Sequence, residues 1–233
     1  MDEIIKRSKS IIPACDFSSL KELQEIVEKT CQIEGIGGYK VGFELVISNG
    51  LPAVVESIKK LTDLPIIYDH QKGATDIPDI GGKFAQVCKK AKVDAVILFP
   101  LVGPATGRTW IAACQEQKLK VIVGGEMTHQ MFKISEGGYM TDQGVEEIYT
   151  NAAKQGIRDF VVPGNRVDRI KVYREMLKDI NPVFYSPGLI AQGGEITEAA
   201  RVAGERWHAI VGRALYQAKD ITATAKELTK DLI

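Results

Sequence analysis

The sequence predicts an α/β protein, a single-domain (β/α)8 TIM barrel that extends over residues 1–233. Short β-branched runs alternate with longer amphipathic segments, a pattern typical of repeated βα units around a covered parallel sheet. Eight such units follow one another with no linker or low-complexity tract between them. Eight parallel units favour a closed barrel over an open sheet, which more often has five or six strands.

The predicted strands are regularly spaced along the chain. In order they are 11–16 (IIPACD), 38–44 (GYKVGFE), 64–70 (LPIIYDH), 94–101 (DAVILFPL), 120–127 (KVIVGGEM), 159–164 (DFVVPG), 182–187 (PVFYSP) and 208–213 (HAIVGR). Each is followed by a helical pattern. The first helix has a clear start signal, because Ser18 or Ser19 can cap it and the apolar residues of SLKELQEIVEKT recur at helical spacing.

Composition excludes several classes of partner. The chain has 30 basic and 30 acidic side chains, so no net field attracts nucleic acid or an anionic membrane. Apolar runs fall short of the roughly 20 residues that span a bilayer, and the amino terminus MDEIIKRSKS is polar. The four cysteines form no CxxC pair, which argues against a zinc knuckle and a disulfide framework. We therefore expect a cytoplasmic protein with a small-molecule partner.

Polar residues cluster at the ends of the predicted strands, where (β/α)8 barrels place their active sites. Any one of them could simply satisfy loop backbone, but together they indicate a site. In chain order they are Asp16, Lys40, Asp69, Glu126, Thr128, Gln192 and Arg213.

The segment IIYDHQKGATDIP, residues 66–78, is the most informative one. It brings Asp69, Lys72 and Asp76 in quick succession into a βα loop, and Lys40 on the neighbouring strand could add a second cation. Alternating charges at close range keep carboxylates ionised and lysines protonated at neutral pH. Such an array can present a fixed anion and a proton donor together.

A second constellation follows the seventh and eighth strands. It extends over residues 185–220 and contains a glycine-rich loop after the seventh strand and Gly212-Arg213 where the eighth strand enters a helix. Phosphate sites of these barrels are commonly built at this position. Backbone amides and a guanidinium both suit a dianion, so this region is a candidate phosphate site.

These motifs resemble those of the orotidine 5'-monophosphate decarboxylase family. That family carries a lysine on the second strand and an Asp-x-Lys-x-x-Asp motif, followed by Ile-Pro, at the end of the third; Lys40, Asp69, Lys72 and Asp76-Ile77-Pro78 are similar. Here one extra residue lies on each side of the motif lysine. Gln71 has the usual separation from Asp69, but we favour Lys72 because glutamine cannot donate the required proton.

The resemblance implies a role for each site residue. Lys72, Asp69, Asp76 and Lys40 would be catalytic, with Lys72 protonating pyrimidine C6. The substrate-binding residues would be Asp16 (ribose), Ile77 (reaching the partner's site), Thr128 (pyrimidine), Pro187, Gln192, Gly193, Gly194, Gly212 and Arg213. Ile80 replaces a threonine that usually contacts ribose, a contact that Thr75 could supply, and Ile190 replaces a usual glycine.

The implied activity is conversion of orotidine 5'-monophosphate to UMP and CO2 by a homodimer with shared active sites, using no metal and no organic cofactor. Two alternatives stay open at this stage. One is a magnesium-dependent sugar-phosphate decarboxylase or hexulose-6-phosphate synthase with a similar motif, from which Ile77-Pro78 and the Gln192 loop point away. The other is a non-catalytic nucleotide-binding barrel, which the altered motif spacing keeps open.

Overall fold

The computed structural model describes residues 3–232, except for the side chains of Gln71 and Lys72. Within that range eight parallel strands close into a barrel in sequence order, which confirms the predicted fold class. The strands are β1 Lys9–Cys15, β2 Tyr39–Val41, β3 Ile66–Gly73, β4 Ala95–Leu98, β5 Lys120–Gly124, β6 Asp159–Val161, β7 Val183–Ser186 and β8 Trp207–Val211.

Helices cover the outside of the barrel. They are α1 Leu20–Thr30, α2 Phe43–Asn49, α3 Leu51–Lys59, α4 Gly81–Lys90, α5 Pro104–Glu116, α6 Asp142–Ala153, α7 Val167–Met176, α8 Ile196–Ala203, α9 Arg213–Tyr216 and α10 Ile221–Thr229. Of the two serines proposed to cap α1, Ser19 does so: its hydroxyl accepts a hydrogen bond from the Glu22 amide at 3.3 Å. In the described part of the chain, no helix is both long and apolar enough to cross a membrane.

The core has two layers, because successive strand residues point to opposite faces of the sheet. One layer lies between the strands and the helices and contains, among others, Tyr39, Val41 and Tyr68. The other fills the barrel and contains, among others, Ile67 and Ile97. This alternation decides which polar residues reach the inside of the barrel.

Strand β3 departs from regular pairing where the motif begins. Asp69 is in register with Ile97 of β4, but the next paired residue is Gly73, which is in register with Leu98. Residues 70–72 therefore form a bulge of three additional residues. The prediction that β3 ends at residue 70 is wrong, because the Phe99 amide donates to the Gly73 carbonyl at 2.6 Å and pairing resumes there.

Candidate active site

A cavity of about 480 Å³ opens at the carboxyl ends of the strands, a volume within the usual range for small-molecule sites. Apolar side chains of the barrel interior form part of its lining, among them Ile97, Phe99, Val161 and Ile210. Eight of the predicted site residues line it: Asp16, Lys40, Asp69, Thr128, Pro187, Gln192, Gly212 and Arg213.

Strand register explains how Lys40 meets two carboxylates. Lys40 is in register with Ala14 on one side and Ile67 on the other. Asp16 and Asp69 each lie two residues further along those strands, so they share the inward face with Lys40 one layer closer to the mouth. The Lys40 Nζ atom lies 3.0 Å from Asp16 Oδ1 and 3.3 Å from Asp69 Oδ2.

Two members of this ion triad, Lys40 and Asp69, are largely withdrawn from water, whereas the Asp16 side chain is 43% exposed at the cavity edge. The Lys40 side chain is 5% exposed, and that of Asp69 is 14% exposed. Burial alone would lower the pKa of Lys40, but the charges of Asp69 and Asp16 outweigh burial and raise that pKa above its usual value. Lys40 therefore carries a fixed positive charge at the floor of the site.

Gly188 of the β7–α8 loop lies between two predicted substrate-binding residues, Thr128 and Gln192. A Cβ atom placed on Gly188 would lie 2.8 Å from Cγ2 of Thr128 and 3.2 Å from Oε1 of Gln192. Gly188 also has a positive φ of 88°, a conformation that suits glycine. Thr128 and Gln192 thus flank one glycine on the cavity wall.

The rest of this loop closes on itself. The Ile190 amide donates to the Gly194 carbonyl at 2.7 Å, and the Gly193 amide donates to the Ile190 carbonyl at 3.0 Å. Gly193 and Gly194 therefore shape the turn that carries Gln192. Ile190 has a φ of 58°, so the chain keeps a glycine-like backbone conformation where the family usually has glycine.

The motif residues after the bulge lie elsewhere in the protomer. Thr75, Asp76 and Ile77 are exposed, and the described side chains that line the cavity do not include them. Thr75 is therefore not placed to replace the ribose contact within its own protomer, and Ile80 packs against the hydrophobic core. The Lys72 side chain, predicted to be the proton donor, lies outside the described residues.

Glu126 is a cavity residue that was noted at a strand end but was given no role in the predicted site. Its side chain is fully buried, and three cations surround it: Arg169 Nε at 2.8 Å, Arg166 at 3.1 Å and Lys133 Nζ at 3.2 Å. The Tyr173 hydroxyl also hydrogen-bonds to it. The cluster fixes the end of β5 just before Thr128. The available signal was the position of Glu126 at a strand end; of its basic partners, Lys133 is near in sequence, but Arg166 and Arg169 lie 40 and 43 residues away.

Among the polar side chains that line the cavity, two more were missed, Glu44 and Tyr216. Both follow strands, Glu44 at the start of α2 and Tyr216 at the end of α9. Tyr216 lies three residues after Arg213, a spacing that places both on one face of a helical turn and that could have indicated its position.

Cys15 has no features of a nucleophile. It is fully buried, and burial raises the pKa of its thiol to about 12, so the reactive thiolate is scarce at neutral pH.

Comparison with known proteins agrees with this geometry. Residues 9–228 match the model of a family described as orotidine 5'-phosphate decarboxylase / HUMPS. The chain belongs to this family. The match spans nearly the whole barrel, including both site constellations.

Relatives and solved structures are similar over nearly their full length. An orotidine 5'-phosphate decarboxylase from Methanocaldococcus jannaschii is 31% identical over 82% of this chain and 84% of its own. One from Methanococcus maripaludis is 29% identical over 92% of this chain and 93% of its own. A crystal structure of the Methanocaldococcus jannaschii enzyme with the inhibitor BMP superposes with a TM-score of 0.83 at 26% identity, covering 96% of this chain and 98% of that one.

Proposed function

We propose that this chain decarboxylates orotidine 5'-monophosphate to UMP and CO2 without a metal or an organic cofactor. The observation that carries the proposal is the Lys40 ammonium held between Asp16 and Asp69 in a cavity that Gln192 and Arg213 also line. Relatives named for this activity support it.

The substrate phosphate would bind at Arg213 and the Gln192 loop, with Pro187, Gly193, Gly194 and Gly212 shaping its surroundings. A guanidinium suits a phosphate dianion because it donates several hydrogen bonds in a fixed geometry. Thr128 and Gln192 would contact the pyrimidine, and Asp16 would contact ribose. Binding energy from the remote phosphate can then be used in the chemical step.

The chemical step exchanges a carboxylate for a proton. The bond from pyrimidine C6 to the carboxylate breaks, CO2 leaves, and the electron pair stays on C6. We assign the proton donor to Lys72, whose ammonium would stabilise the developing charge before protonating C6. Asp69 and Asp76 would lie near the substrate carboxylate, and Lys40 would hold the charge array in place.

The magnesium-dependent alternative is less compatible with the geometry. The Asp16 and Asp69 carboxylates are both paired with Lys40, so a divalent cation bound to them would face a fixed ammonium at close range.

The test is the ultraviolet absorbance of orotidine 5'-monophosphate mixed with the purified protein. We expect absorbance to fall at the same rate with and without EDTA. Turnover that EDTA abolishes would contradict the cofactor-free assignment. No turnover combined with tight binding of 6-azauridine monophosphate would favour a non-catalytic barrel.

We further propose a homodimer in which Asp76 and Ile77 enter the partner's site. Their exposure supports this, because a 59% exposed isoleucine beside a motif aspartate suits a contact surface. Mixing inactive Lys72→Ala and Asp76→Ala proteins should then restore part of the activity, since a mixed dimer has one intact site. A mixture that stays inactive while subunits exchange would contradict shared sites.

We also place this activity in the cytoplasm, in UMP biosynthesis. The balanced charge and the cysteines without disulfides support this placement. Expression of the chain in cells that lack this decarboxylase should restore growth without uracil, and failure of soluble, active protein to do so would contradict it.

A further inference from the structure

Helix α5 holds the backbone of the segment that carries the second motif aspartate. Thr106 and Trp110 lie four residues apart on α5 and therefore share one face. The Thr106 hydroxyl donates to the Asp76 carbonyl at 2.9 Å, and the Trp110 indole N–H donates to the Ile77 carbonyl at 3.1 Å. A regular helix thus fixes two consecutive peptide groups of an exposed loop.

Both donors are buried, although the segment they hold is exposed. Thr106 and Trp110 are each 4% exposed. Trp110 packs so closely on the start of α4 that a Cβ atom on Gly81 would lie 2.9 Å from its Cγ. The indole therefore has little freedom to move, and the position of its N–H is set by packing.

A row of aromatic side chains connects Trp110 to the other end of the bulged segment. The Phe84 ring lies 5.0 Å from Trp110 and 5.7 Å from His70. His70 Nδ1 in turn shares a hydrogen bond with the Tyr68 hydroxyl. The chain on both sides of residues 71–75 is therefore held from outside the barrel, at His70 by the row and at Asp76-Ile77 by α5.

The motif segment from Asp69 to Asp76 is long, which explains why contacts from α5 and the aromatic row are needed to hold it. Compared with the Asp-x-Lys-x-x-Asp spacing, this chain has one extra residue on each side of its motif lysine. A longer connection has more conformations, so fixing it costs more entropy. An aspartate that must meet a substrate cannot be left on such a connection without external contacts.

We propose that Thr106 and Trp110, supported by the aromatic row, are positioning residues that fix Asp76 and Ile77 for the active site. The inference rests on the proposed function, because it assigns these residues a part in the same reaction. They act through the backbone of the motif and do not touch the cavity themselves.

The test compares two double variants. Thr106→Val/Trp110→Phe removes both hydrogen-bond donors and keeps the side chains similar in shape. The control, Thr109→Val/Trp207→Phe, removes an exposed hydroxyl on the same helix and the buried indole that donates to Ser186 at 2.8 Å. The two variants lose similar numbers of hydrogen bonds, but only the first loses contacts to the motif segment.

We expect the first variant to lose roughly 10- to 100-fold in kcat, since a displacement of about 1 Å can have this effect. Its KM should change little, because the phosphate contacts lie on other loops. The control should keep its kcat. Wild-type kcat in the first variant, or an equal loss in the control, would overturn the proposal. If the double variant does not fold, Thr106→Val alone should still lower kcat, and an unchanged kcat would overturn the proposal.

Hydrogen exchange separates failure of this inference from failure of the proposed function. The Ile80 amide donates to the Ile77 carbonyl at 3.3 Å, so release of the segment should speed its exchange in the first variant. Unchanged protection would overturn the positioning role. This measurement needs no substrate, so it decides the inference even if the wild-type protein does not decarboxylate orotidine 5'-monophosphate.

Discussion

Lys40 is the side chain on which the charge arrangement of the cavity depends. It neutralises Asp69, whose side chain is 14% exposed, and it also pairs with Asp16 at the cavity edge. Removing one partner of a buried ion pair is costly because it leaves an uncompensated charge. Lys40 therefore supports both the fold and the site.

Replacing Lys40 with methionine should lower the free energy of unfolding by about 3 kcal/mol and the decarboxylation rate by at least about 100-fold. Denaturant unfolding and the absorbance assay measure the two effects. Lys59→Met is the matched control, because Lys59 pairs with Asp94 at 3.1 Å where both side chains are partly exposed, and such pairs contribute about 1 kcal/mol or less. Equal losses in the two variants would contradict the assigned role.

Individual site residues were predictable where strand ends and motif spacing identify them. Asp16, Lys40, Asp69, Gln192 and Arg213 were predicted in this way, and the structure brings all of them to one cavity. Glu126 was noticed at a strand end but not assigned to the site. Two of its three basic partners, Arg166 and Arg169, lie 40 and 43 residues away along the chain, and such distant pairings leave no local pattern.

At the level of the elements, the sequence predicts all eight strands but not their irregularities. The periodicity that reveals β3 cannot show that residues 70–72 bulge, because a bulge depends on pairing with β4. For the same reason the motif was expected in a loop after the strand, whereas residues up to Gly73 belong to β3. The sequence shows that the motif has extra residues. It does not show that a bulge in β3 accommodates them, because the bulge depends on tertiary contacts.

The β7–α8 loop contains a strained residue. Ile190 has a φ of 58° and is 42% exposed. A β-branched residue is strained in this conformation, at a cost of about 1–3 kcal/mol. The strain lies two residues from Gln192, on the loop that shapes the candidate phosphate site.

Ile190→Asn should therefore raise the free energy of unfolding by about 1 kcal/mol, because asparagine tolerates a positive φ and little buried apolar surface is lost. Thermal unfolding of the two proteins measures the difference. The control is Ile47→Asn, which changes an 80% exposed isoleucine without a positive φ and should not stabilise. A less stable Ile190→Asn protein would show that the loop conformation is not strained.

For the molecule as a whole, the amino-terminal end of the barrel holds a half-buried aspartate and a buried histidine, with opposite effects on how stability depends on pH. Burial raises the pKa of Asp159 from 3.8 to about 6, although its carboxylate accepts a hydrogen bond from Tyr185 at 2.8 Å. Burial lowers the pKa of His208 from 6.5 to about 3. His208 Nδ1 shares a hydrogen bond with Ser10, as expected for a structural histidine.

The signs of the two contributions follow from these shifts. The folded protein holds the Asp159 proton more tightly than the unfolded chain does. Asp159 therefore adds to the free energy of unfolding below pH 3.8, and this stabilisation is lost as the pH rises through 6. The folded protein resists protonation of His208. The stabilisation that neutral His208 provides is therefore present above pH 6.5 and is lost as the pH falls toward 3.

Asp159→Asn should be more stable than the wild-type protein at pH 8, by up to about 3 kcal/mol, because the amide is never charged but can still accept from Tyr185. The advantage should shrink as the pH falls from 6 to 4. Denaturant unfolding across this range measures it, and the contribution of His208 cancels in the difference between the two proteins. A pH-independent difference would contradict the half-buried, protonated carboxyl.

The overall architecture was the most predictable level, because eight alternating units specify a closed barrel through repeated local patterns. Assembly was less predictable. The sequence places Asp76 and Ile77 in a motif, but only the structure shows that they are exposed in a single protomer. Whether and how a second copy contacts these residues depends on surface shape, which periodicity does not encode.

We propose that Lys72 supplies the proton that replaces CO2. The most direct measurement compares turnover of orotidine 5'-monophosphate by Lys72→Ala and Gln71→Ala proteins, together with their affinity for 6-azauridine monophosphate. We expect the Lys72→Ala protein to bind the nucleotide without turning over substrate, and the Gln71→Ala protein to stay active. Full turnover by Lys72→Ala would contradict the proposal.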